Sequence, residues 1–334
     1  MATGARDDAR PLVSVLLIAY RQRDTVGPAL RAALAQTYEP LEIIASDDAS
    51  GDGTWEALCA AAEGYAGPHR LRLNRNEANL GIGAHLSRLA QMAEGELLLV
   101  AAGDDVSLPQ RAQRTVEAWL AHDRRPDLIA SVLADIDAEG RVHGAIVPSD
   151  LARYTSQAQW AAEPPHVVGA GQAWTRRLFE RFGPLPPGTV AEDLVMVFRA
   201  IGSGGAITLR EPLVQYRRGG ISRRRRNLHA RDVVARLLKN NRHALVEAEQ
   251  MLRDAQVMGR YGEVGPHLER VLDRERFIAE LFGAGNVMQQ LRIAASAGHQ
   301  PLALRLRLFT YAAMPWLLAP LFALKRVAAR RRGD

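Results

Sequence analysis

Apolar runs of strand length alternate with segments of helical spacing through the first part of the chain. Runs rich in β-branched residues without polar alternation are typical of strands buried on both faces. The predicted strands are Val13–Ala19, Leu41–Ala45, Leu71–Leu73, Leu97–Ala101 and Asp127–Leu133, and the predicted helices are Val26–Gln36, Gly83–Met92 and Pro109–Leu120. This order predicts an α/β fold with an open, mainly parallel sheet flanked by helices, and with ligands at the carboxyl ends of its strands.

Pairs of acidic residues accompany these elements. Asp47-Asp48 ends the second predicted strand, and Asp104-Asp105 follows the fourth one 57 residues later. A third pair, Glu192-Asp193, lies in a loop before a helix-like segment. Carboxylates at strand ends are suited to holding a nucleotide, a metal ion and a reacting hydroxyl. A simple turn, a solvated acidic loop and an exposed helix N-terminus are the alternative interpretations of the three pairs.

A dinucleotide-binding dehydrogenase does not fit the pattern. The turn after the first strand, Ala19–Arg23, has none of the glycines that a G-x-G-x-x-G loop requires. The nearest match, Gly81–Leu86, lacks the third glycine and follows the third strand.

Length and composition are those of a folded globular protein. The chain has 334 residues, of which 47% are apolar and 24% charged, which is enough for one large domain with an appendage. Its single cysteine, Cys59, cannot form a disulfide within the chain, and this fits a reducing cytosol. Residues 1–10 are polar and mixed in charge, so we expect no secretory signal there.

Charge is distributed unevenly along the chain. Residues 211–334 carry twelve more Arg and Lys than Asp and Glu, whereas the whole chain has an excess of six, so residues 1–210 carry about minus six. An acidic front joined to a basic tail predicts a domain that is brought to an anionic surface. We expect a main domain over 1–222, a helical appendage over 223–300 that supports packing or homo-oligomerisation, and a basic, apolar tail over 301–334.

The apolar part of that tail, residues 308–324, contains Thr310 as its one clearly polar residue and has basic residues on both sides. It is short for a transmembrane helix, and Pro315 and Pro320 interrupt it. Trp316, Tyr311 and the basic flanks favour an interfacial or re-entrant segment at a membrane surface. A full membrane span and docking on the protein's own core are the alternatives.

Several motifs together resemble family 2 glycosyltransferases with the GT-A fold. They occur in the family's order over residues 11–222, and they are Val13–Tyr20, Leu34–Tyr38, Glu42–Thr54, Asn79–Gly81, Gly95–Glu96 with Ala102–Asp105, Phe182–Leu185, Glu192-Asp193 and Glu211–Arg217. The resemblance implies a bacterial, inverting enzyme that transfers a sugar from a nucleotide-sugar donor to a saccharide or lipid-linked acceptor, as in surface-polysaccharide or glycolipid assembly. It implies a cytoplasmic protein, peripheral on the inner face of the plasma membrane.

The resemblance also implies roles for the acidic pairs. Asp48 accepts a hydrogen bond from the donor's base, with Ala19 and Tyr20 nearby. Asp104 contacts the donor, and Asp104 and Asp105 hold Mg²⁺ or Mn²⁺, which neutralises charge on the departing diphosphate. The family often has a further aspartate at the position of Ala102, so here two carboxylates remain for the metal.

In the third pair, the resemblance implies that Asp193 is the general base that removes the proton from the acceptor hydroxyl. Gly171 and Trp174, in a glycine-rich segment before that pair, are candidates for acceptor contact through close backbone approach and stacking on the indole. Ordinary core packing is the alternative for Trp174.

Candidate phosphate-binding arginines are Arg21, Arg88 and Arg217. The first two stand near positions where the family has Tyr-Asn and Arg-Asn, and Arg217 opens the basic run 217–226. That run is suited to the donor diphosphate, a lipid pyrophosphate or phospholipid head groups. No nucleic-acid-binding motif accompanies it, so we expect no nucleic-acid partner. A sugar-nucleotide pyrophosphorylase and a non-catalytic sugar-nucleotide-binding scaffold are the alternative functions.

Overall fold

The structure, a computed structural model, describes residues 10–217 and 230–317. Within these residues the chain forms two compact units: the first contains residues 10–217 and 253–264, and the second contains 230–252 and 265–317. The sequence predicted three contiguous domains. The structure instead groups residues 253–264 with the first unit and the described part of the tail with the helices of the second.

The first unit is built on a sheet of nine strands among the described residues. The strands are β1 (Val13–Ala19), β2 (Leu41–Asp47), β3 (Arg70–Arg75), β4 (Leu97–Ala102), β5 (Val106–Ser107), β6 (Leu128–Ile136), β7 (Val142–Ile146), β8 (Gln172–Thr175) and β9 (Ala206–Arg217). All five predicted strands are therefore present, and most are one to three residues longer than the apolar runs that predicted them.

The order of the strands is β3-β2-β1-β4-β8-β6-β9-β5, with β7 paired to β6. Strands β3, β2, β1 and β4 are parallel, as predicted. The other half of the sheet is mixed, because β8 runs antiparallel to both β4 and β6 while β6 and β9 are parallel. The predicted α/β class is confirmed, but the sheet is parallel in one half only.

Helices cover the sheet and continue into the second unit. They are α1 (Val26–Leu34), α2 (Thr54–Ala62), α3 (Ile82–Met92), α4 (Arg111–Ala121), α5 (Gln157–Ala162), α6 (Arg176–Phe182), α7 (Glu192–Ile201), α8 (Ala230–Val257), α9 (Tyr261–Gly283), α10 (Val287–Ser296) and α11 (Leu302–Ala313). Alternate residues of β1, such as Val15 and Leu17, pack in one core with Leu30 of α1 and Trp119 of α4. The intervening Leu16 is also fully buried, which is why these strands lack polar alternation.

A buried ion pair holds residues 253–264 in the first unit. Arg199 Nε on α7 donates to Asp254 Oδ2 at 2.7 Å, and both side chains are buried. Arg199 Nη1 also donates to the carbonyl of Gly183 at 3.0 Å, and its guanidinium lies 5.3 Å from the Phe182 ring centroid. A buried cation is stable only with such compensation.

The second unit has its own small core. Phe277, Ile278 and Leu281 of α9 pack with Ala294 of α10 and Leu308 of α11. Leu308, the first residue of the predicted interfacial segment, is thus docked on the protein's own core, while residues 318–324 of that segment lie outside the described residues. Nowhere in the described ranges is there a helix long and apolar enough to cross a membrane.

Candidate active site

The strand register brings two of the acidic pairs to one end of the sheet. In this register Ala19 at the end of β1 stands opposite Asp47 of β2, and Ile18 stands opposite Ala102 of β4. Since the three strands are parallel, Asp48 and Asp104 follow on either side of the carboxyl end of β1. This is where an open α/β sheet binds ligands.

The third acidic pair reaches the same region through β8. Because β8 runs antiparallel to β4, with Ala173 opposite Leu99, the turn Gly169–Gly171 before it lies beside the carboxyl end of β4. A Cβ placed on Gly169 would lie 2.5 Å from Glu192 Oε1 and 3.6 Å from the Cβ of Asp193. All three pairs therefore surround one end of the sheet.

Asp48 is buried and is surrounded by donors from the loop that leads into α3. Its Oδ1 accepts from Asn76 Nδ2 at 2.7 Å and from the Leu80 amide at 2.9 Å. Its Oδ2 accepts from Asn79 Nδ2 and from the Gly81 amide, each at 3.0 Å. A carboxylate has about four lone-pair positions, so this loop occupies all of them. A base N–H would have to replace one of these donors, and base recognition by Asp48 stays a prediction.

Arg217 fixes the turn that carries Asp104 and Asp105. Its backbone amide donates to Asp105 Oδ1 at 2.8 Å, and its Nε donates to the Asp104 carbonyl at 3.2 Å. Its Nη1 donates to the carbonyls of Asp137 at 3.3 Å and Ala138 at 2.7 Å. The guanidinium is thus bound to the main chain, which leaves fewer donors for a phosphate than we expected. Residues 218–226 of the basic run lie outside the described residues.

The electrostatics of the turn favour a bound cation or proton. Burial raises the pKa of Asp105 to about 7, the neighbouring charge of Asp104 adds to this effect, and Arg111 and Arg217 act against it. Burial also raises the pKa of Asp104. Asp105 Oδ2 is buried without a hydrogen-bond partner in the described part of the chain, and an unpaired buried carboxylate oxygen is costly.

The carboxylate oxygens of Asp104 and Asp105 can be compared with the ligands that Mg²⁺ or Mn²⁺ requires. These ions commonly use one or two carboxylates and complete their shell with water and substrate phosphates. Asp104 and Asp105 supply that minimum, and the unpartnered oxygen of Asp105 suits it. In residues 10–217 and 230–317 no group of three or more His, Cys, Asp or Glu side chains could enclose a metal ion. The residues therefore fit a cation shared with a substrate's phosphates.

Gln22 is a site residue that the sequence analysis missed. Its side chain acts on the Asp104 carboxylate, whose pKa it lowers against the effect of burial, and its Oε1 accepts from the Tyr20 amide at 3.3 Å. Its backbone amide donates to Thr54 Oγ1 at 2.8 Å. A Cβ on Gly103 would lie 2.6 Å from Gln22 Oε1 and 2.9 Å from the Cβ of Ala19, so glycine leaves room for the Gln22 side chain. No local pattern marks Gln22, because its contacts with Thr54 and with the turn at Asp104 come from two distant segments.

His85 is a second missed residue. It lies buried in the first turn of α3, and its Nε2 is 2.7 Å from Ser46 Oγ. Burial lowers its pKa to about 4, against the opposing effect of the Asp48 charge. The imidazole is therefore neutral near pH 7 and joins the end of β2 to the helix after the Asp48 loop.

The two members of the third pair occupy different environments. Glu192 is buried against Gly169, whereas Asp193 is half-buried in the first turn of α7. Asp193 Oδ1 accepts from the Leu194 amide at 2.8 Å, and its carbonyl accepts from Gln172 Nε2 at 3.1 Å. Asp193 is thus the more accessible carboxylate.

Arg21 and Tyr20 project from the end of β1. Arg21 has a φ of 54°, in the left-handed region, and its amide donates to Ser50 Oγ at 2.8 Å. Its guanidinium lies 5.2 Å from the ring centroid of Tyr20, which is exposed. Arg88 is exposed on α3. Their phosphate-binding roles stay predictions.

The structure places Trp174 in the core, while its role in acceptor contact stays a prediction. Its side chain is 1% exposed and lies on β8 between β4 and β6. Gly171 is also buried, and a Cβ on it would lie 2.9 Å from the carbonyl oxygen of Ser131. Its close approach is therefore to β6 of the protein itself. An antiparallel strand inserted here makes both residues part of the core.

Fold and site together define a GT-A-type protein. The chain belongs to glycosyl transferase family 2, because the sequence model of that family matches residues 14–182. It is 31% identical over 139 residues to EpsE of Bacillus subtilis, which is named as a glycosyltransferase, covering 42% of this chain and 49% of that protein. It is 27% identical over 232 residues to the succinoglycan biosynthesis protein ExoO of Rhizobium meliloti, covering 65% of this chain and 64% of that protein. The matches thus span about half to two thirds of the relatives' length.

Solved structures share the fold. TarS 1–349 of S. aureus in complex with UDP-GlcNAc superposes with a TM-score of 0.52 at 16% identity, covering 90% of this chain and 86% of that one. The mannosyltransferase PcManGT of Pyrobaculum calidifontis, in complex with GDP-Man and Mn²⁺, has a TM-score of 0.51 at 18% identity, covering 93% and 88%. At these identities the likeness shows the fold.

Proposed function

We propose that this protein is an inverting glycosyltransferase that transfers a sugar from a nucleotide-sugar donor to a hydroxyl of a saccharide or lipid-linked acceptor. The observation that carries the proposal is the convergence of the three acidic pairs at the carboxyl ends of β1, β2 and β4. Membership of glycosyl transferase family 2 supports the transfer of a sugar. The positions of the three acidic pairs support the role assigned to each pair.

The donor lies against the end of β1 in this proposal. Tyr20 is exposed beside Arg21, Ala19 forms the floor, and Asp48 holds the adjoining loop. The nucleotide sugars bound by the two structural relatives, UDP-GlcNAc and GDP-Man, support a nucleotide-sugar donor. The two nucleotides differ, so the base is left open.

Asp105, with its unpartnered Oδ2, and Asp104 would hold a divalent cation. When bound, it supplies positive charge that stabilises the departing nucleoside diphosphate. Arg217 keeps the turn in place, because its amide binds Asp105 Oδ1 and its Nε binds the Asp104 carbonyl, and the Gln22 side chain favours the charged form of Asp104. The Mn²⁺ in the mannosyltransferase complex supports this assignment.

Asp193 takes the proton from the acceptor hydroxyl as its oxygen attacks the anomeric carbon. It is the accessible member of the third pair, at the same end of the sheet as the turn that carries Asp104 and Asp105, which we call the carboxylate turn. Glu192 packs against Gly169 and orients the start of α7. General-base catalysis of this kind contributes about 10²–10⁴ in rate.

The proposed class of acceptor is supported by the name of a third relative. WfaP of Escherichia coli, 45% identical over 47 residues that are 14% of this chain and 19% of that protein, is named as a glucosyltransferase acting on GlcNAc-diphosphoundecaprenol. A lipid-linked acceptor would explain the basic, apolar end of the chain. It also agrees with the proposed position at the inner face of the plasma membrane.

The test measures nucleoside diphosphate release from a panel of UDP-, dTDP- and GDP-sugars, with Mn²⁺ or with EDTA. We expect metal-dependent release from one donor. Asp193→Asn is expected to lower the turnover about a hundredfold or more while leaving the donor Kd unchanged. Asp150→Asn, the same change at an exposed position, is the matched control.

Other outcomes favour the alternatives. Donor binding without any turnover on saccharide or lipid-linked acceptors would favour the binding scaffold. Pyrophosphate-dependent formation of a nucleoside triphosphate would favour the pyrophosphorylase. Full turnover in Asp193→Asn would refute the assigned base.

A further inference from the structure

Helices α10 and α11 each have one face in the core of the second unit. Ala294 of α10 and Leu308 of α11 pack against Phe277 and Leu281 of α9. Arg305 Nη1 also donates to the carbonyl of Ala294 at 3.1 Å, which ties α11 to the end of α10. The orientation of both helices is therefore fixed, and so is the face that each presents to solvent.

The outer faces of these two helices carry large apolar side chains. Met288 and Leu291 of α10 are exposed, as are Leu302 and Leu306 of α11, at 61% and 58%. Leu302 and Leu306 are four residues apart and thus share one face of the helix. Trp316, just after α11, is 67% exposed. Exposed apolar side chains concentrated in this way mark an interaction surface.

The charge of this region has a single sign. Between residues 281 and 333 there are eight Arg and Lys and no Asp or Glu. Two of these arginines, Arg292 and Arg307, are exposed next to Leu291 and Leu306 in the described helices. Apolar side chains bordered by cations are the pattern of helices that lie in the interface of an anionic membrane.

We infer that the outer faces of α10 and α11, with Trp316, form a docking surface for an anionic phospholipid bilayer. We call this the α10–α11 surface; it comprises Met288, Leu291, Leu302, Leu306, Trp316, Arg292 and Arg307. The leucines and Met288 enter the acyl boundary, Trp316 lies at head-group level, and the two arginines bind phosphates. The inference rests on the proposed function only for its purpose, which is to bring the enzyme to a lipid-linked acceptor.

A bilayer fits this surface better than a second copy of the chain does. A two-fold dimer formed through it would place the same residues opposite each other, including Arg292 and Arg307, with no acidic residue from 281 to 333 to pair them. An anionic bilayer offers apolar chains and phosphates together, so it complements both features of the surface.

The test is co-sedimentation of the full chain with vesicles of phosphatidylcholine alone or with about 30% phosphatidylglycerol. We expect binding to the anionic vesicles that weakens in 0.5 M salt. The double variant Leu302→Gln, Leu306→Gln removes two half-exposed leucines from the contact, and its partition is expected to fall about thirtyfold. Arg292→Gln with Arg307→Gln is expected to lower binding to anionic vesicles by about twentyfold, with little effect on neutral ones.

The matched control is Val142→Gln with Val147→Gln, two exposed apolar residues of the first unit. It is expected to bind vesicles as the wild type does. The inference would be overturned if the wild-type protein did not bind anionic vesicles, or if the leucine variant bound them as strongly as the wild type does. A leucine variant that changes the sedimentation coefficient of the vesicle-free protein would also overturn it, because the surface would then join two copies.

Donor hydrolysis separates this inference from the proposed function. We expect the leucine and arginine variants to release nucleoside diphosphate from the donor at the wild-type rate in detergent-free buffer. Vesicle binding without donor hydrolysis would refute the function and keep the surface. Donor hydrolysis without vesicle binding would refute the docking surface and keep the proposed function.

Discussion

Asp48→Asn tests whether this carboxylate holds the loop before α3. An asparagine keeps one oxygen with two lone pairs and replaces the other oxygen with an NH₂ group. Two of the four hydrogen bonds from Asn76, Asn79, Leu80 and Gly81 are therefore lost. At about 1.5 kcal/mol or more for each hydrogen bond to a charged group, we expect the free energy of unfolding to fall by about 3 kcal/mol.

The assay is urea denaturation followed by tryptophan fluorescence, without nucleotide, together with a donor Kd measured on the folded variant. Asp150→Asn is again the control, since an exposed site is expected to change the free energy of unfolding by no more than about 0.5 kcal/mol. If Asp48 serves the base alone, its variant will keep wild-type stability and lose donor affinity. That result would refute the reasoning from the four donors.

Three further expectations concern buried charges and the carboxylate turn. Asp254→Ala leaves the guanidinium of Arg199 buried without its partner, so we expect denaturation to show a loss of about 3–5 kcal/mol; a loss below 1 kcal/mol would contradict this. Because the pKa of Asp105 is raised, the folded, metal-free protein is expected to lose stability as the pH rises from about 4 to about 7. Because the pKa of His85 is lowered, the protein is expected to lose stability as the pH falls from about 6.5 to about 4. In EDTA, Asp105→Asn is therefore expected to show a steeper rise of the unfolding free energy with pH than the wild type, and equal slopes would argue against the raised pKa. Gln22→Ala frees the Asp104 carboxylate from its side-chain partner, so we expect a several-fold higher Mn²⁺ requirement in the hydrolysis assay with unchanged stability; an unchanged requirement would deny Gln22 a positioning role.

The parallel half of the sheet was predictable because its signals are local. Val13–Ala19 and Leu97–Ala102 are buried on both faces, and that burial requires an unbroken apolar run. The acidic pairs were predictable for a related reason, since a polar pair that directly follows such a run can only lie at the strand's end. Parallel pairing then placed Asp48 and Asp104 at the same edge of the sheet, on either side of β1.

The mixed half of the sheet was not predictable in the same way. Strand β8 has only four residues, Gln172–Thr175, and nothing in their composition shows that they insert between β4 and β6. Trp174 therefore looked equally suited to stacking on a sugar or to core packing. Its burial depends on neighbours that are more than forty residues away in the sequence.

What the sequence determined by itself is the α/β fold class, the parallel strands and the three acidic pairs, because periodicity and strand ends are properties of short segments. What the tertiary structure decided is the partner of each side chain: the four donors around Asp48, the hold of Gln22 and Arg217 on the carboxylate turn, and the burial of Trp174. Hydrogen bonding and desolvation depend on which atoms lie within a few ångströms. Those atoms come from distant parts of the chain, and only folding brings them together.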